Sequence, residues 1–249
     1  MKTRWMIGVA AVAGLVAMTG RATIHFEQDF DTMTLGDING QQGWYGVTPL
    51  SIVQSTVAVE GNALETGNGA FGTGYYNQPF AIGRANQWLS FDIRLGADIY
   101  DFAGTPSVDM QAAFAVRGPE ANQKMTLVYK AVTNSAGQVA YSRWEMRGTS
   151  PWLLSPDARK DTWYSVLIKC DFAAGTADAE VWRAGQAWWD PEPIAGFDND
   201  GNVNDLYVST DSTPSFSVFV DNILIIPEPA TGLTLAVCGL FALRRRPSR

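Results

Sequence analysis

Residues 88–95 read Trp88-Leu89-Ser90-Phe91-Asp92-Ile93-Arg94-Leu95, with an apolar side chain at every second position from Leu89 and Ser90, Asp92 and Arg94 between them. That is the period of a strand with one dry face and one wet one, because successive side chains leave an extended backbone on opposite sides. The pattern returns at Ala112, Phe114 and Val116; at Met125, Leu127, Tyr129 and Ala131; at Tyr164, Val166, Ile168 and Cys170; and at Phe216, Val218 and Val220. Turn-forming pairs punctuate these runs: Asn68-Gly69, Ala136-Gly137, Ala174-Gly175 and Asp200-Gly201. The interval 23–226 shows no helical period beyond one or two turns. Many strands at this spacing predict an all-β chain folded as an antiparallel sandwich or barrel.

The interval 23–226 has the size of one domain with one continuous core, and no Pro, Gly or Ser tract divides it. A net charge of -7 argues against nucleic acid or an anionic lipid surface, which call for basic stripes. Of the 2 cysteines, Cys238 falls in a C-terminal apolar stretch, which leaves Cys170 without a disulfide partner inside the domain. Its place in an alternating apolar run marks it as a small core residue rather than a nucleophile.

The two ends carry different chemistry. Lys2 and Arg4 precede a nearly uncharged run from Trp5 to Met18, and Gly20 and Ala22 follow. This is the layout of a secretory signal peptide over 1–22, cleaved after Ala22, with Ala17 to Thr19 as the competing site and a retained anchor helix as the alternative. At the other end Pro227, Glu228 and Pro229 lead into an apolar stretch from Ala230 to Leu243 and then Arg244, Arg245 and Arg246. A helix of that stretch would span about 21 Å against about 30 Å of hydrocarbon, which makes it a marginal permanent anchor. Basic residues at both ends stay cytoplasmic, so the interval between them is expected across the membrane.

A Pro-Glu-Pro triplet, a short hydrophobic helix and a terminal arginine cluster, in this order, resemble the PEP-CTERM sorting signal of Gram-negative bacteria that make exopolysaccharide. The resemblance covers 227–249 and implies a transient transmembrane helix in the inner membrane. It further implies processing by an exosortase after signal peptidase has acted, and delivery to the cell surface, cell envelope or extracellular matrix. A plain C-terminal membrane anchor is the alternative. Within 23–226, the opening segment Phe26-Glu27-Gln28-Asp29-Phe30-Asp31, the turn Gly40-Gln41-Gln42-Gly43-Trp44, the strand Trp163 to Val166 and the closing Val220-Asp221-Asn222-Ile223 are similar to concanavalin A-like jelly-roll domains. That likeness implies a jelly-roll β-sandwich whose first and last strands pair side by side, and it speaks to fold more than to function.

Catalytic chemistry finds little support. The only histidine, His25, lies three residues beyond the expected cleavage site, which removes Ser-His-Asp, Cys-His and His-ligated zinc arrangements from an ordered interior. Glycoside hydrolysis needs two carboxylates. Glu27, Asp29 and Asp31 at period two, and Glu145 on the strand Val139 to Arg147, are the candidates, and a solvated face is the expected reading of both. Asp198, Asp200, Asn202 and Asn204 offer oxygen ligands of the kind calcium takes, although an EF-hand loop would have glycine where Val203 stands and an acid where Ser209 stands. An Asn/Asp-rich turn accounts for the same residues.

Most of the tryptophans should fill the core, but Trp152, Trp188 and Trp189 stand in turn-rich segments and are candidates for stacking on sugar rings. Loop tryptophans folded back to close one end of a sandwich are the alternative. The expectation from sequence is a secreted, non-catalytic polysaccharide-binding or structural module. The rivals are a glycoside hydrolase or polysaccharide lyase of the jelly-roll class and a surface protein without ligand.

Overall fold

The computed structural model describes residues 26–46, 51–67, 72–76, 87–117, 123–147, 153–171, 174–190, 193–195, 205–210 and 216–227. These form seventeen strands: β1 (Phe26–Gln28), β2 (Gly36–Asp37), β3 (Trp44–Gly46), β4 (Ser51–Gln54), β5 (Ala63–Thr66), β6 (Gly72–Tyr76), β7 (Gln87–Leu95), β8 (Asp109–Arg117), β9 (Gln123–Thr133), β10 (Val139–Arg147), β11 (Leu153–Asp157), β12 (Trp163–Asp171), β13 (Thr176–Arg183), β14 (Gln186–Trp189), β15 (Ile194–Ala195), β16 (Asp205–Thr210) and β17 (Val218–Pro227). The helical content of the described residues is a single 3-10 turn, Ile99–Phe102, whose start Asp98 caps by accepting from the Tyr100 amide at 2.9 Å.

Ten strands make one sheet, in the order β14-β13-β12-β7-β17-β5-β4-β2 with β1 beside β17 and β15 beside β13. Seven make the other, in the order β11-β10-β9-β8-β16-β6-β3. The first and last strands do pair: β1 runs antiparallel to β17, with Phe26 opposite Ile225 and Gln28 opposite Ile223. The long β17 thus carries β5 along its first half and β1 along its second, with β7 on its other side.

Alternation decides which side of each strand meets the core. Leu89, Phe91, Ile93 and Leu95 of β7, Tyr164, Val166 and Ile168 of β12, and Val218 and Val220 of β17 line the inner face of the ten-stranded sheet. Met110, Ala112 and Phe114 of β8, Leu127, Tyr129 and Ala131 of β9, and Trp144 and Met146 of β10 line the inner face of the seven-stranded sheet. Rings bridge the two layers: Phe91 stacks on Phe114 at 3.7 Å between centroids, and Trp144 meets Tyr164 edge-on at 5.8 Å. Each buried Val, Leu, Ile, Phe or Met among them contributes about 1.5–3 kcal/mol, which is why the alternating runs fix the fold. Some buried polar groups are paired inside it: Tyr129 and Ser142 share a 3.0 Å hydrogen bond, and the Ser142 hydroxyl donates to the Ala158 carbonyl at 2.7 Å, whereas the buried Trp144 Nε1 finds no acceptor. The turn pair Ala136-Gly137 closes β9 onto β10 with Gly137 at φ 76, and Ala174-Gly175 closes β12 onto β13 with Gly175 at φ 66.

Cys170 is buried, and burial pushes its thiol up to about 12, as expected of a core residue. The tryptophans divide more evenly than the sequence predicts. Trp44, Trp88, Trp144 and Trp189 are buried, whereas Trp163, Trp182 and Trp188 keep part of their surface in solvent.

Candidate functional site

The expectation that Trp188 or Trp189 offers a ring to a sugar meets a local irregularity. On β13 the partner of Arg183 is Gln186 and that of Trp182 is Ala187, but Val181 pairs with Trp189, so Trp188 is an extra residue in β14. A regular strand would point two neighbouring rings to opposite sides. The bulge instead seats Trp189 in the core at 8% exposure and leans Trp188 against it, with its ring 5.0 Å from that of Tyr164. Both rings thus pack on the core at the β14 edge of the ten-stranded sheet. Trp152, the quartet Asp198, Asp200, Asn202 and Asn204, and Glu228, Pro229, Arg244, Arg245 and Arg246 of the sorting signal lie outside the described residues, as do His25 and 1–22. Pro227 ends β17, opposite Gln87.

Of the carboxylate candidates, Glu27, Asp29 and Asp31 are exposed, as a solvated reading predicts, whereas Glu145 is not. β1 stops at Gln28, and Phe30 takes a left-handed backbone at φ 61, so Glu27, Asp29 and Asp31 do not continue along one strand face. Asp29 and Asp31 organise turns instead. Asp29 accepts from the Asp31 amide at 3.1 Å, and Asp31 accepts from the Asn62 amide at 2.7 Å. Glu145 is not on a solvated face: it is 2% exposed. Arg143 donates to its Oε1 through Nε at 3.2 Å and Nη2 at 3.1 Å, and Arg147 donates to its Oε2 through Nε at 3.1 Å and Nη2 at 2.7 Å. Both oxygens are thereby engaged by charged donors.

Glu145 belongs to the outer face of the seven-stranded sheet, and the register assembles the rest of that face. One row across the strands runs Leu154, Glu145, Val128, Ala113 and Ser209. The next runs Arg147, Thr126, Ala115, Tyr207, Tyr75 and Tyr45, so three tyrosine positions stand on neighbouring strands β16, β6 and β3. A third row holds Arg143, Lys130 and Gln111. Val128, Ala113, Ala115, Thr126 and Ser209 are all buried although they point away from the core. On this face, small buried side chains stand between larger ones that reach solvent, Tyr45 at 44% exposure toward one side and the partly exposed Arg143 and Arg147 toward the other.

The outer face of the ten-stranded sheet holds a small hollow. Ser90, Asp92, Ser165, Trp182, Asn222 and Leu224 line a hollow of about 40 Å³, enough for water but not for a sugar ring. Its polar groups satisfy one another: Ser165 donates to Asp92 Oδ1, and Asn222 Nδ2 donates to Asp92 Oδ2 at 2.9 Å.

No protein-family model and no curated protein matches the sequence. Solved structures do resemble the fold. A sialidase superposes with a TM-score of 0.57 at 12% identity over 84% of this chain, and the chain spans 19% of the sialidase's length. A carbohydrate esterase from the Shiga toxin-encoding bacteriophage phi24B gives 0.51 at 12% identity, covering 83% of this chain and 99% of the esterase. Lectin II from Ulex europaeus gives 0.51 at 12% identity, covering 82% and 99%. At such identities the likeness is one of fold, and the described residues form a nearly all-β sandwich of the lectin-like jelly-roll kind.

Part of this face is legible in the sequence. Arg143-x-Glu145-x-Arg147 on one predicted strand puts two cations and an anion on the same side at period two. The tyrosine row was not visible, because the register of β3, β6 and β16 joins residues far apart in the chain.

Proposed function

We propose that this chain is an exported, non-catalytic polysaccharide-binding module whose ligand lies across the outer face of the seven-stranded sheet. The observation that carries it is the row of tyrosine positions across β16, β6 and β3, with Tyr45 44% exposed and Tyr207 half-buried. Flat rings with one polar tip suit sugars, which present an apolar face and a hydroxyl edge. The lectin among the structures of like fold supports the same reading. The sorting tail belongs to the proposal: signal peptidase removes 1–22, the helix after Pro229 holds the protein in the inner membrane, an exosortase acts at Pro227-Glu228-Pro229, and the product reaches the surface or matrix. Calcium at Asp198, Asp200, Asn202 and Asn204 would rigidify a loop of the mature domain.

Affinity electrophoresis through gels containing a polysaccharide tests the binding face. A stacked ring contributes about 1 kcal/mol, so Tyr207→Ala and Tyr45→Ala should each weaken retention roughly fivefold, with circular dichroism confirming that each variant is folded. Unchanged retention in the double variant would move the site elsewhere. Release of soluble sugar by the purified protein would replace binding with turnover.

A further inference from the structure

We propose that the connection between β4 and β5, residues 55–62, is a pH-sensitive strap, clasped over the buried side chain of Asp221 in acid and released from it as pH rises toward neutrality.

The strap is held from outside rather than by side chains of its own. β5 lies between β4 and β17, yet the connection reaches past β5 to β17, where the Val59 amide donates to Asp221 Oδ2 at 3.0 Å. A second carboxylate takes its far end. The Asn62 amide donates to Asp31 Oδ1 at 2.7 Å, and that carboxylate lies so close to Gly61 that a Cβ there would stand 1.8 Å from the same oxygen. None of the residues 55–62 is buried. Lifting the strap therefore breaks two amide clasps and uncovers little apolar surface, which places it among the local openings that cost less than unfolding.

Release is tied to the charge of Asp221. With the strap closed, this side chain is 1% exposed and its partners are two backbone amides, those of Val59 and Asn222. The elements packed against it carry Asp92 and Arg94 on β7, Asp29 and Asp31 between β1 and β2, Glu27 on β1, Glu65 on β5 and Glu60 in the strap itself. Arg94 is the one cation among these, and it is turned to Asp161 at 2.5 Å. An ionised carboxylate withdrawn from water needs a counter-ion or renewed hydration. Opening the strap supplies hydration. Burial first, and then the charges of Asp92 and Asp31, push the closed carboxyl up to about 7 against the pull of the two amides, whereas an opened one returns toward 3.8. Between those values the open form binds fewer protons than the closed one, so the open fraction grows by roughly tenfold per pH unit and levels off above about 7. The clasp is complete in acid. Opening also withdraws Asn62, whose side chain donates to the Phe30 and Met33 carbonyls at 3.4 and 3.5 Å, and so loosens the connection that follows β1.

Hydrogen exchange of the full chain from pH 4 to pH 8, read by mass spectrometry and corrected for the intrinsic rate at each pH, tests the strap. Protection in fragments covering 55–62 should fall by roughly tenfold per pH unit and flatten above about pH 7, while fragments of β7 and β12 stay better protected throughout. Asp221→Asn keeps an oxygen for the Val59 amide and cannot ionise, so it should abolish the slope. Asp31→Asn keeps an oxygen for the Asn62 amide and removes one negative neighbour of Asp221, so it should bring the plateau to lower pH. That second readout stands even if Asp221→Asn does not fold. Strap protection independent of pH, a slope that survives Asp221→Asn, or a plateau that Asp31→Asn leaves in place would overturn the switch. So would strap and core fragments exchanging at one rate, because the strap would then open only with the whole fold.

Discussion

Asp221 is the side chain whose environment differs most from what its sequence position announces. It closes an apolar run, at 1% exposure, with the Val59 amide donating to Oδ2 at 3.0 Å and the Asn222 amide to Oδ1 at 2.7 Å. Burial, reinforced by the nearby Asp92 and Asp31, pushes its carboxyl up to about 7 against the pull of those two amides. A carboxyl raised in this way favours the protonated fold. Its contribution is complete below the unfolded value of 3.8 and is lost as pH rises through about 7, for a total of roughly 4 kcal/mol. Asp221→Asn should therefore flatten the decline of unfolding free energy between pH 4 and pH 8, measured by urea titration at each pH. A slope identical to that of the unchanged protein would mean that the carboxyl ionises normally. Cys170 obeys the same physics and was legible, because its alternating apolar run announced its burial. Its thiol should resist a disulfide reagent in the native protein and react only in denaturant. Glu145 was misjudged as solvated because charge usually marks the wet face, and nothing in its own identity shows two neighbours folding over it.

Bulges explain most of what the element scale hid. Long strands announce themselves: the run from Leu89 to Leu95 became β7 and that from Tyr164 to Cys170 became β12. A one-residue insertion leaves no such period, and β14 and β17 each contain one. In β17 the register shifts between Asp221 and Leu224, with Asn222 at φ 53 and its Nδ2 donating to Asp92 at 2.9 Å. Asn222→Gly keeps the backbone and loses the hydrogen bond to Asp92, which alone is worth about 1 kcal/mol. Asn222→Val adds strain of about 1–3 kcal/mol, since a β-branched residue resists a left-handed backbone. Equal midpoints for the two in guanidinium titrations would show that the bulge rearranges. In β14 the consequence is for packing. Trp189→Ala should destabilise by about 3–5 kcal/mol as a buried ring deletion, and the folded fraction should bind polysaccharide normally. Normal stability with lost binding would return that ring to the binding surface.

At the scale of the whole molecule, the two sheets share one core rather than forming separate halves. Phe91 belongs to the ten-stranded sheet and Phe114 to the seven-stranded one, and their rings stack at 3.7 Å with 13° between planes. Tyr129, Trp144 and Tyr164 continue this contact from one sheet to the other. The inward positions of β7 and β8 that make it possible were readable from alternation alone, but the partner of each ring depends on how the sheets face each other, which no local pattern encodes. Because each layer buries its dry face only against the other, neither can persist alone. Phe114→Ala should cost about 3–5 kcal/mol and lower the stability of both sheets together. Tryptophan fluorescence reports chiefly on rings such as Trp44 and Trp144 in the core, and far-ultraviolet circular dichroism on the strands themselves. The two curves should coincide before and after the substitution, as a single cooperative transition requires. A variant whose fluorescence changes at lower denaturant than its strand signal would reveal one sheet surviving the other, and the shared core would then be two weakly coupled layers.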